Sequence, residues 1–492
     1  MTYHLLTGAT GLLGSYLLRE DLHGEQRLAV IARPAARESA RQRVENIAAR
    51  WEREAGRALP RPVVLEGDIC KPRLGLDDGT LRWIADNCDS VLHNAASLTF
   101  APDHRRGEPR RTNVEGTRNV LELCRETGIR RFHHVSTAFV CGLREGQILE
   151  TELDLGQKLG NVYEESKVEA EKMVREADFL DPPTIYRPAT IVGDSRTGYT
   201  TTYHGFYAPL KLVHAVADKV DPSLIQGEPL MKLLGLSGEE RKTFVPVDWV
   251  AAVISHILAR PELHGNTYHL TPDRQVPVRM VTDVMEQAIR ETVGESTSPK
   301  DDDFDVEGFG QMFLDQMQVY ASHWRDDPQF DRTNTRTAAE HLPPPEMDHA
   351  TLLRVALFAI KANFGWPRPP SMEPDFDVAA HLHKRLPCLT RDAVPGNVDN
   401  VLGLQVNGPG GGQWKLFVQK GRPVAMEDGL GEENTATLYL NSRMFEQLAS
   451  RALTATQAVG SGRIFVEGNG MELSEMEEVL QQTATGSGID FA

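Results

Sequence analysis

The stretch LLTGATGLLGSYLL, Leu5–Leu18, carries three glycines within seven residues, Gly8, Gly11 and Gly14. It is typical of a strand, a turn and a helix, because the apolar run Tyr3–Thr7 leads into it and apolar residues recur at helical spacing after the glycines. Glycines at such a turn let a ligand approach the backbone, and they direct free N–H groups and the positive end of the helix dipole toward it. The pattern suits a pyrophosphate, although a tight turn without a ligand has the same signature.

The composition is that of an ordinary globular protein, with 40% hydrophobic and 25% charged residues. A chain of 492 residues is too long for one core, so we expect two or three domains. The 70 acidic and 53 basic residues give a net charge of −17, which repels phosphate backbones and makes a nucleic-acid partner unexpected.

The five cysteines show neither metal-ligand spacing nor a disulfide framework. They predict no metal site and a reducing compartment. No apolar run reaches transmembrane length, and no signal-like segment precedes the first predicted strand. We therefore expect a cytoplasmic protein without integral membrane association.

Strand-like and helix-like patterns alternate through the first two hundred residues, which predicts an α/β fold with a doubly wound parallel sheet of the Rossmann type. The predicted strands are Tyr3–Thr7, Arg27–Ala32, Val63–Glu66, Ser90–Asn94, Phe132–Ser136 and Thr184–Arg187. Amphipathic helices are predicted at Asn113–Glu126 and Tyr163–Glu176. The mixed region from about Thr200 to Glu291 is expected to form a small substrate lobe over the carboxyl ends of the strands, where such sheets bind ligands.

Composition shifts mark the domain boundaries. We assign residues 1–295 to the Rossmann domain with its lobe and residues 296–368 to a helical extension of it. Residues 369–396 are predicted to be a stiff linker, because GWPRPPSMEPDFD (Gly365–Asp377) is rich in proline. Residues 397–492 then form a separate α+β domain of ordinary size.

Several residues at predicted strand ends suit a dinucleotide that carries a 2′-phosphate. Arg33 follows the second strand, where an acidic residue would instead bind the ribose hydroxyls, and Arg43 is a second candidate for the phosphate. A solvated strand end is the alternative for Arg33. Asp68 in EGDI lies within reach of an adenine amino group, and HNAA (His93–Ala96) offers small residues beside the dinucleotide. The sequence thus predicts NADP(H).

Tyr163 and Lys167, in the motif YEESK, lie one helical turn apart and therefore share a helix face. A free tyrosine has a pKa near 10, and a neighbouring ammonium is expected to lower it toward the working range of an acid–base catalyst. Upstream, VSTAFVCG (Val135–Gly142) supplies Ser136 and Thr137 at a strand end. A hydroxyl there can hydrogen-bond the oxygen of a carbonyl that is being reduced.

Together the glycine motif, Asp68, HNAA, NVEGT, VSTA, YEESK and YRPATIVGDSRTG resemble the extended short-chain dehydrogenase/reductase superfamily. Within it, HNAASLTF, VSTAF and RPATIVGDSRTG are most similar to thioester reductase domains and fatty acyl-CoA reductases. The resemblance covers about residues 1–270 and continues through FDRTNTR (Phe330–Arg336) to about Arg368. Cys141 stands where many sugar-epimerase relatives carry tyrosine, which argues against a nucleotide-sugar enzyme.

The resemblance implies a catalytic set of Thr137, Tyr163 and Lys167, with Lys167 also holding the nicotinamide-ribose hydroxyls. It implies cofactor contacts from the glycine turn, the strand ends and the later motifs: Thr7, Gly8, Thr10, Gly11, Leu12, Leu13, Gly14, Arg33, Arg43, Asp68, Ile69, Asn94, Ala95, Ala96, Asn113, Tyr163, Lys167, Arg187, Pro188, Ala189 and Thr190. Substrate contacts are expected from Ser97, Ser136, Thr137 and Phe139.

The carboxyl-terminal segment ATLYLNSRMFEQLASRALTATQAVGSGRIFVEGN (Ala436–Asn469) resembles sterol-carrier-protein lipid-binding domains. By that likeness an apolar tunnel would be lined by Trp414, Leu416, Phe445, Leu448 and Ile464. The alternative is that these side chains form the core of a small domain. Homodimerisation is another role open to this domain.

These observations predict NADPH-dependent reduction of a fatty acyl thioester or related lipid carbonyl to an aldehyde or alcohol. The expected substrate is a long-chain acyl or sterol-like lipid, presented by coenzyme A or by a separate acyl-carrier protein. Two alternatives stay open: a hydroxysteroid or other lipid alcohol dehydrogenase, and a non-catalytic lipid-binding or transfer protein with the same fold. The presence of Thr137, Tyr163 and Lys167 together weighs against the second.

Overall fold

A computed structural model describes residues 2–23, 27–36, 38–55, 59–217, 227–293, 306–365, 376–389, 397–407, 410–430, 434–460, 463–468 and 470–484. Its amino-terminal strands are β1 (Tyr3–Thr7), β2 (Arg27–Ala32), β3 (Val63–Glu66), β4 (Cys88–His93), β5 (Arg131–Val135), β6 (Gln147–Ile148), β7 (Thr184–Pro188), β8 (Thr190–Val192), β9 (Arg241–Lys242), β10 (Phe244–Pro246), β11 (Thr267–Leu270), β12 (Val276–Pro277) and β13 (Gln329–Phe330). The helices of this part are α1 (Leu12–His23), α2 (Ala40–Ala55), α3 (Asp78–Asn87), α4 (Gly116–Thr127), α5 (Val162–Glu176), α6 (Tyr207–His214), α7 (Gly227–Leu233), α8 (Val247–Leu258), α9 (Val278–Val293), α10 (Val306–Met317), α11 (Thr333–Ala338) and α12 (His349–Lys361).

Seven parallel strands form the central sheet in the order β11-β7-β5-β4-β1-β2-β3. Strands β2 and β3 lie on one side of β1 and the later strands of the chain lie on the other side, beginning with β4. This switch leaves a crevice at the carboxyl ends of β1 and β4. Both faces of the sheet are covered, because helices α1, α2 and α8 pack on one side and α3, α4 and α5 on the other. The doubly wound α/β sheet that the sequence predicts is confirmed.

The lobe over the carboxyl ends of the strands has its own core. Helices α6, α9, α10 and α12 supply it, with Val284, Phe313 and Leu352 fully buried. The helical extension thus packs with the lobe and not as a separate unit. No helix in the described part of the chain combines the length and apolar composition of a membrane-spanning segment.

The carboxyl-terminal domain consists of α13 (Val378–Arg385), β14 (Asn400–Asn407), β15 (Gly412–Gln419), β16 (Arg422–Asp428), β17 (Ala436–Asn441), α14 (Ser442–Ala449), α15 (Ala455–Gly460), β18 (Phe465–Glu467) and α16 (Leu473–Ala484). Its sheet has the order β16-β15-β14-β17-β18, with β14 and β17 parallel and the other pairs antiparallel. The separate α+β domain that the sequence predicts is therefore confirmed.

The side chains predicted to line a tunnel lie in the core of this domain. Each is at most 3% exposed and packs within one cluster: Trp414, Leu416, Phe445, Leu448 and Ile464.

One boundary of the predicted linker is wrong. Val378, Leu382 and Leu386 recur at helical spacing and are buried in the core of the carboxyl-terminal domain, so the domain already includes α13. The proline-rich residues 366–375 and residues 390–396 lie outside the described part of the chain.

The carboxyl-terminal domain packs against the amino-terminal edge of the seven-stranded sheet. Trp83 Nε1 donates to Glu467 Oε2 at 3.1 Å, and Asn407 Nδ2 donates to the backbone oxygen of Pro62 at 3.4 Å. The Arg27 guanidinium, at the start of β2, lies 5.9 Å from the centre of the Phe465 ring. Since the strands are about five residues long, this interface is roughly 16 Å from the opposite, carboxyl edge.

Candidate active site

At Gly8 and Gly14 the turn between β1 and α1 is too tight for any residue other than glycine. A Cβ atom at Gly14 would lie 2.0 Å from the backbone oxygen of Gly8, and one at Gly8 would lie 2.7 Å from the Cα of Ala95. Gly8 also has a φ of +76°, a conformation that L side chains rarely adopt. Gly14 therefore lets α1 approach the turn, and Gly8 lets the HNAA segment approach it.

A buried chain of hydrogen bonds holds the HNAA segment in place. Thr117 Oγ1 donates to the backbone oxygen of Asn113 at 2.6 Å, so His93 Nε2 donates to Thr117 at 3.0 Å and Thr7 Oγ1 donates to His93 Nδ1 at 2.8 Å. Burial and the nearby Lys167 lower the pKa of His93 to about 3, so its ring is neutral. The Thr7 oxygen in turn accepts from the backbone nitrogens of residues 94 and 95 at 3.2 Å.

Two arginines lie together at the carboxyl end of β2. Arg43 Nη1 donates to the backbone oxygen of Arg33 at 2.5 Å, and its Nη2 donates to Thr10 Oγ1 at 3.0 Å. Burial and the charge of Arg33 lower the pKa of Arg43, with Glu38 opposing them. An anion between the two guanidinium groups would relieve their repulsion, so this pocket fits a phosphate.

The catalytic candidates lie on three neighbouring elements. Thr137 follows β5 and donates to the backbone oxygen of Pro188, at the end of β7, at 3.4 Å. Lys167 on α5 is buried, and its Nζ donates to the backbone oxygen of Val135 at 2.8 Å. Tyr163 lies one turn earlier on α5, hydrogen-bonded to Thr137 and 5.2 Å from the ring centre of Phe100.

The pKa values of Tyr163 and Lys167 differ from what the spacing of the two residues predicts. The pKa of Tyr163 is raised, by burial first and then by Glu164, and the hydrogen bond to Thr137 is what lowers it. Burial lowers the pKa of Lys167 to about 8 against the attraction of Glu171. The predicted lowering of the Tyr163 pKa by Lys167 is therefore not seen in this structure.

A cavity of about 970 Å³ joins these parts. It runs from the glycine turn and Arg33, past Thr137, Tyr163 and Lys167, into the lobe. The far part of the cavity, here called the apolar chamber, is lined mainly by hydrophobic side chains, among them Met231, Phe244, Met285, Ile289, Phe313 and Met317. A polar dinucleotide groove thus continues into a space suited to an apolar substrate.

Most predicted site residues line this cavity. They are Gly8, Thr10, Gly11, Leu12, Leu13, Arg33, Arg43, Asp68, Ile69, Asn94, Ala95, Ala96, Ser136, Thr137, Phe139, Tyr163, Lys167, Pro188, Ala189 and Thr190. Thr7 and Gly14 shape the turn from behind. Asn113 is buried and accepts from the backbone nitrogen of Ser97 at 2.7 Å while donating to Ser166 Oγ at 2.8 Å, so Asn113 and Ser97 hold α5 beside the cavity.

Arg187 does not line the cavity, and the structure corrects its predicted cofactor contact. Its guanidinium is fully buried and donates to both carboxylate oxygens of Glu171, at 2.7 and 3.1 Å. Burial raises the pKa of Glu171, but Arg187 and Arg175 outweigh this effect and the pKa is lowered overall. This ion pair lies beneath Lys167 and joins α5 to β7.

Sequence reasoning missed the apolar chamber and two of its polar neighbours, Glu164 and His323. The apolar faces of α9 and α10 could have indicated the chamber, since both helices are amphipathic and belong to the lobe. Outside this cavity, His383, Cys388 and Asp428 bring ligand atoms within 4.8 Å of one another on the surface of the carboxyl-terminal domain. Within that group His383 and Asp428 form an exposed ion pair at 3.7 Å.

Comparison with known families separates the two halves of the chain. Residues 6–254 match the model of an NAD-binding family described as male sterility protein, and residues 381–481 match the SCP-2 sterol transfer family. These matches confirm both family resemblances found in the sequence.

Curated relatives align with the amino-terminal part. The chain is 26% identical over 368 residues to the aldehyde reductase lnaA of Aspergillus flavus, covering 69% of this chain and 34% of that protein. It is 32% identical over 211 residues to the isonitrile lipopeptide synthase of Mycobacterium tuberculosis, covering 39% of this chain and 8% of that one. The chain therefore spans about a third or less of the length of these relatives.

Solved structures share the fold. The terminal R domain of the myxalamid PKS-NRPS pathway superposes with a TM-score of 0.56 at 26% identity, covering 75% of this chain and 93% of that one. The reductase domain of a nonribosomal peptide synthetase from Mycobacterium tuberculosis gives a TM-score of 0.52 at 22% identity, over 74% and 92% of the two chains.

Proposed function

Because the chain belongs to the male sterility protein family of extended short-chain dehydrogenases/reductases and carries an SCP-2 sterol transfer domain, we propose that it reduces a fatty acyl thioester with NADPH. The product is an aldehyde, or an alcohol after a second round. The thioester is presented by coenzyme A or by a separate acyl-carrier protein.

The observation that carries this proposal is the continuity of the cavity. Its polar end holds two adjacent arginines, its middle holds Thr137, Tyr163 and Lys167, and its far end is the apolar chamber. Each methylene group that leaves water for such a chamber contributes about 0.8 kcal/mol. The site therefore favours a carbonyl attached to a long apolar tail.

The residues of the chain fit the dinucleotide. The glycine turn would receive its pyrophosphate, Arg33 and Arg43 its 2′-phosphate, and Lys167 its nicotinamide ribose. When bound, the reduced dinucleotide supplies the hydride. Arg33 and Arg43 support NADPH over NADH, because two adjacent guanidinium groups suit a dianionic group better than ribose hydroxyls.

Thr137 and Tyr163 act on the carbonyl oxygen. Tyr163 donates its phenolic proton as negative charge develops there, and the Thr137 hydroxyl, at the end of β5 and in contact with Tyr163, stabilises that charge. The Lys167 ammonium, fixed by Val135, holds the nicotinamide ribose beside Tyr163 and does not lower the pKa of that tyrosine. Burial strengthens these interactions because water does not screen them.

The carboxyl-terminal domain is proposed to bind the lipid or its product. It contacts the amino-terminal edge of the sheet, whereas the cavity opens at the carboxyl edge. In this arrangement the two sites do not adjoin, so the domain acts as a separate lipid reservoir and does not extend the apolar chamber.

The test is NADPH oxidation by the full-length protein with acyl-CoA, fatty aldehydes and sterol ketones as parallel substrates. We expect turnover with long-chain acyl-CoA and fatty aldehydes, and none above background in Tyr163→Phe. Tyr163→Phe removes one proton donor and little volume, so it should still bind NADPH. Turnover of sterol ketones alone would refute the thioester assignment and favour a hydroxysteroid dehydrogenase.

A further inference from the structure

Glu164 follows Tyr163 on α5 and lines the same cavity. The residue is only 2% exposed. Its Oε2 accepts from the backbone nitrogen of Gly160 at 2.7 Å, and its Oε1 accepts from Asn161 Nδ2 at 3.0 Å. The same Oε1 lies 3.5 Å from His323 Nε2, which lines the cavity too. A carboxyl group therefore sits in the substrate cavity, one residue from the proposed proton donor.

The surroundings of Glu164 leave its charge poorly compensated. Burial and the neighbouring Glu165 raise its pKa to about 7, although Arg325 and the hydrogen bonds from Gly160 and Asn161 oppose the rise. Burial also lowers the pKa of His323 to about 4, so that ring is neutral and supplies no counter-charge. The titratable or charged groups that face Glu164 or its partner His323 are Cys141, Tyr163, Glu165, Lys242, Arg325 and Asp327.

Thioester reduction releases a sulfur leaving group, which aldehyde reduction does not. Hydride addition to the carbonyl carbon, with a proton from Tyr163 to the oxygen, gives a hemithioacetal and a tyrosinate. When the hemithioacetal collapses, the tyrosinate takes the hydroxyl proton back, the C–S bond breaks and its electron pair goes to sulfur. Tyr163 has then returned to its starting state, and the proton consumed by the reaction must reach sulfur from another group.

We propose that Glu164 is the catalytic acid that protonates the departing sulfur. This inference rests on the proposed thioester reduction. The carboxylate left after each turnover regains its proton from water, and reduction of an aldehyde, which has no leaving group, proceeds without Glu164.

Glu164 also has a structural position that the test must separate from catalysis. Asn161 caps α5 by accepting from the Glu164 backbone nitrogen at 3.0 Å, and the Glu164 side chain reaches back to Gly160. This resembles a capping box, except that the Glu164 side chain accepts from the residue before the N-cap. Glu164→Gln keeps one of the two oxygen acceptors and nearly the same volume, but its amide provides no acidic proton.

The experiment compares wild type, Glu164→Gln and the control Glu165→Gln, which alters an exposed carboxylate on the next residue of α5. Each full-length protein is assayed with an acyl-CoA and with the aldehyde of the same chain length. We expect Glu164→Gln to slow turnover of the acyl-CoA by about a hundredfold, within the range of general acid catalysis, and aldehyde turnover by less than about twofold. Glu165→Gln should leave aldehyde turnover unchanged and should change acyl-CoA turnover far less than Glu164→Gln, because Glu165 is the smallest of the influences on the pKa of Glu164.

Two further readouts separate acid catalysis from helix capping. In an acyl thioester of an acidic aromatic thiol, the thiolate leaves readily without a proton. This substrate should therefore restore most of the lost rate in Glu164→Gln. The infrared difference spectrum of wild type minus Glu164→Gln, which cancels the contribution of buried Asp21, should show a protonated carboxyl band that disappears as pH rises through about 7.

The outcomes are distinct. Equal losses on thioester and aldehyde, or no rescue by the aromatic thioester, would overturn the role of Glu164 and leave it a helix cap. Unchanged acyl-CoA turnover in Glu164→Gln would overturn it as well. If the wild type reduces aldehydes but no thioester, the proposed function fails and this inference fails with it.

Discussion

Replacing Arg33 with aspartate should reverse the preference for NADPH over NADH. Arg33 lines the cavity at the end of β2, beside Arg43. A hydrogen bond between charged groups contributes about 1.5–3 kcal/mol, and we take the lower figure because Arg33 is exposed to solvent. Placing a carboxylate roughly 4 Å from the phosphate adds about 1 kcal/mol of repulsion in a water-like dielectric.

The two contributions sum to about 2.5 kcal/mol, or roughly seventyfold weaker NADPH binding. Aspartate at this strand end can also accept hydrogen bonds from the ribose hydroxyls of NADH, which should tighten NADH binding about fivefold at about 1 kcal/mol. The ratio of the two dissociation constants should therefore change by several hundredfold.

The assay is fluorescence titration of both dinucleotides into wild type, Arg33→Asp and Arg33→Ala. Arg33→Ala should weaken NADPH about tenfold and leave NADH unchanged, because it removes the phosphate contact without adding an acceptor. If the wild type binds NADH as tightly as NADPH, or if Arg33→Asp weakens both equally, the phosphate assignment is wrong.

Three other predictions follow from the groups around the cavity. Burial lowers the pKa of Lys167 to about 8, so kcat/KM for an aldehyde should fall as pH rises through about 8. In Lys167→Arg the fall should shift above about pH 10, and a pH–rate profile that is the same in this variant would refute the assignment. Arg187→Met removes the main partner of the buried Glu171 carboxylate and should lower the free energy of unfolding by about 3–5 kcal/mol, measured with denaturant. The double variant with Glu171→Leu should recover much of that loss. A loss under about 1 kcal/mol in Arg187→Met would show that the pair is dispensable. Ile289→Trp should fill part of the apolar chamber. If the tryptophan excludes about three methylene groups of the substrate, kcat/KM should fall about sixtyfold for long-chain substrates and stay unchanged for short ones. Equal effects at all substrate lengths would show that the acyl chain binds elsewhere.

The fold could be predicted because its signals are local. Short apolar runs followed by glycine, histidine or serine indicate strands whose carboxyl ends meet at one edge of the sheet. The predicted strand Arg27–Ala32, for example, has the bounds seen in the structure. The proximity of the candidate catalytic residues could be predicted because Tyr163 and Lys167 lie one helical turn apart on a single face. These relations are set by spacing along the chain.

The remaining features depend on packing between distant segments. Arg187 sits at a strand end like Arg33, yet its guanidinium binds Glu171 on α5. Whether such an arginine binds a carboxylate of the helix or a cofactor depends on how α5 packs on β7, which the sequence does not show. The apolar chamber is lined by side chains from α7, β10, α9 and α10, and amphipathicity alone does not reveal that these segments meet around one space. The position of the carboxyl-terminal domain likewise rests on single contacts such as Trp83 with Glu467, far apart in sequence.

The central claim is that hydride reaches the carbonyl carbon of an acyl thioester within this cavity. The most direct measurement incubates the full-length protein with a long-chain acyl-CoA and NADPH that carries deuterium at its transferable position, and analyses the product by mass spectrometry. The account predicts an aldehyde with one deuterium on its carbonyl carbon, or an alcohol with two deuteriums on that carbon, formed by wild type and absent with Tyr163→Phe. Unlabelled aldehyde, or acyl-CoA that remains intact while NADPH is bound, would contradict it.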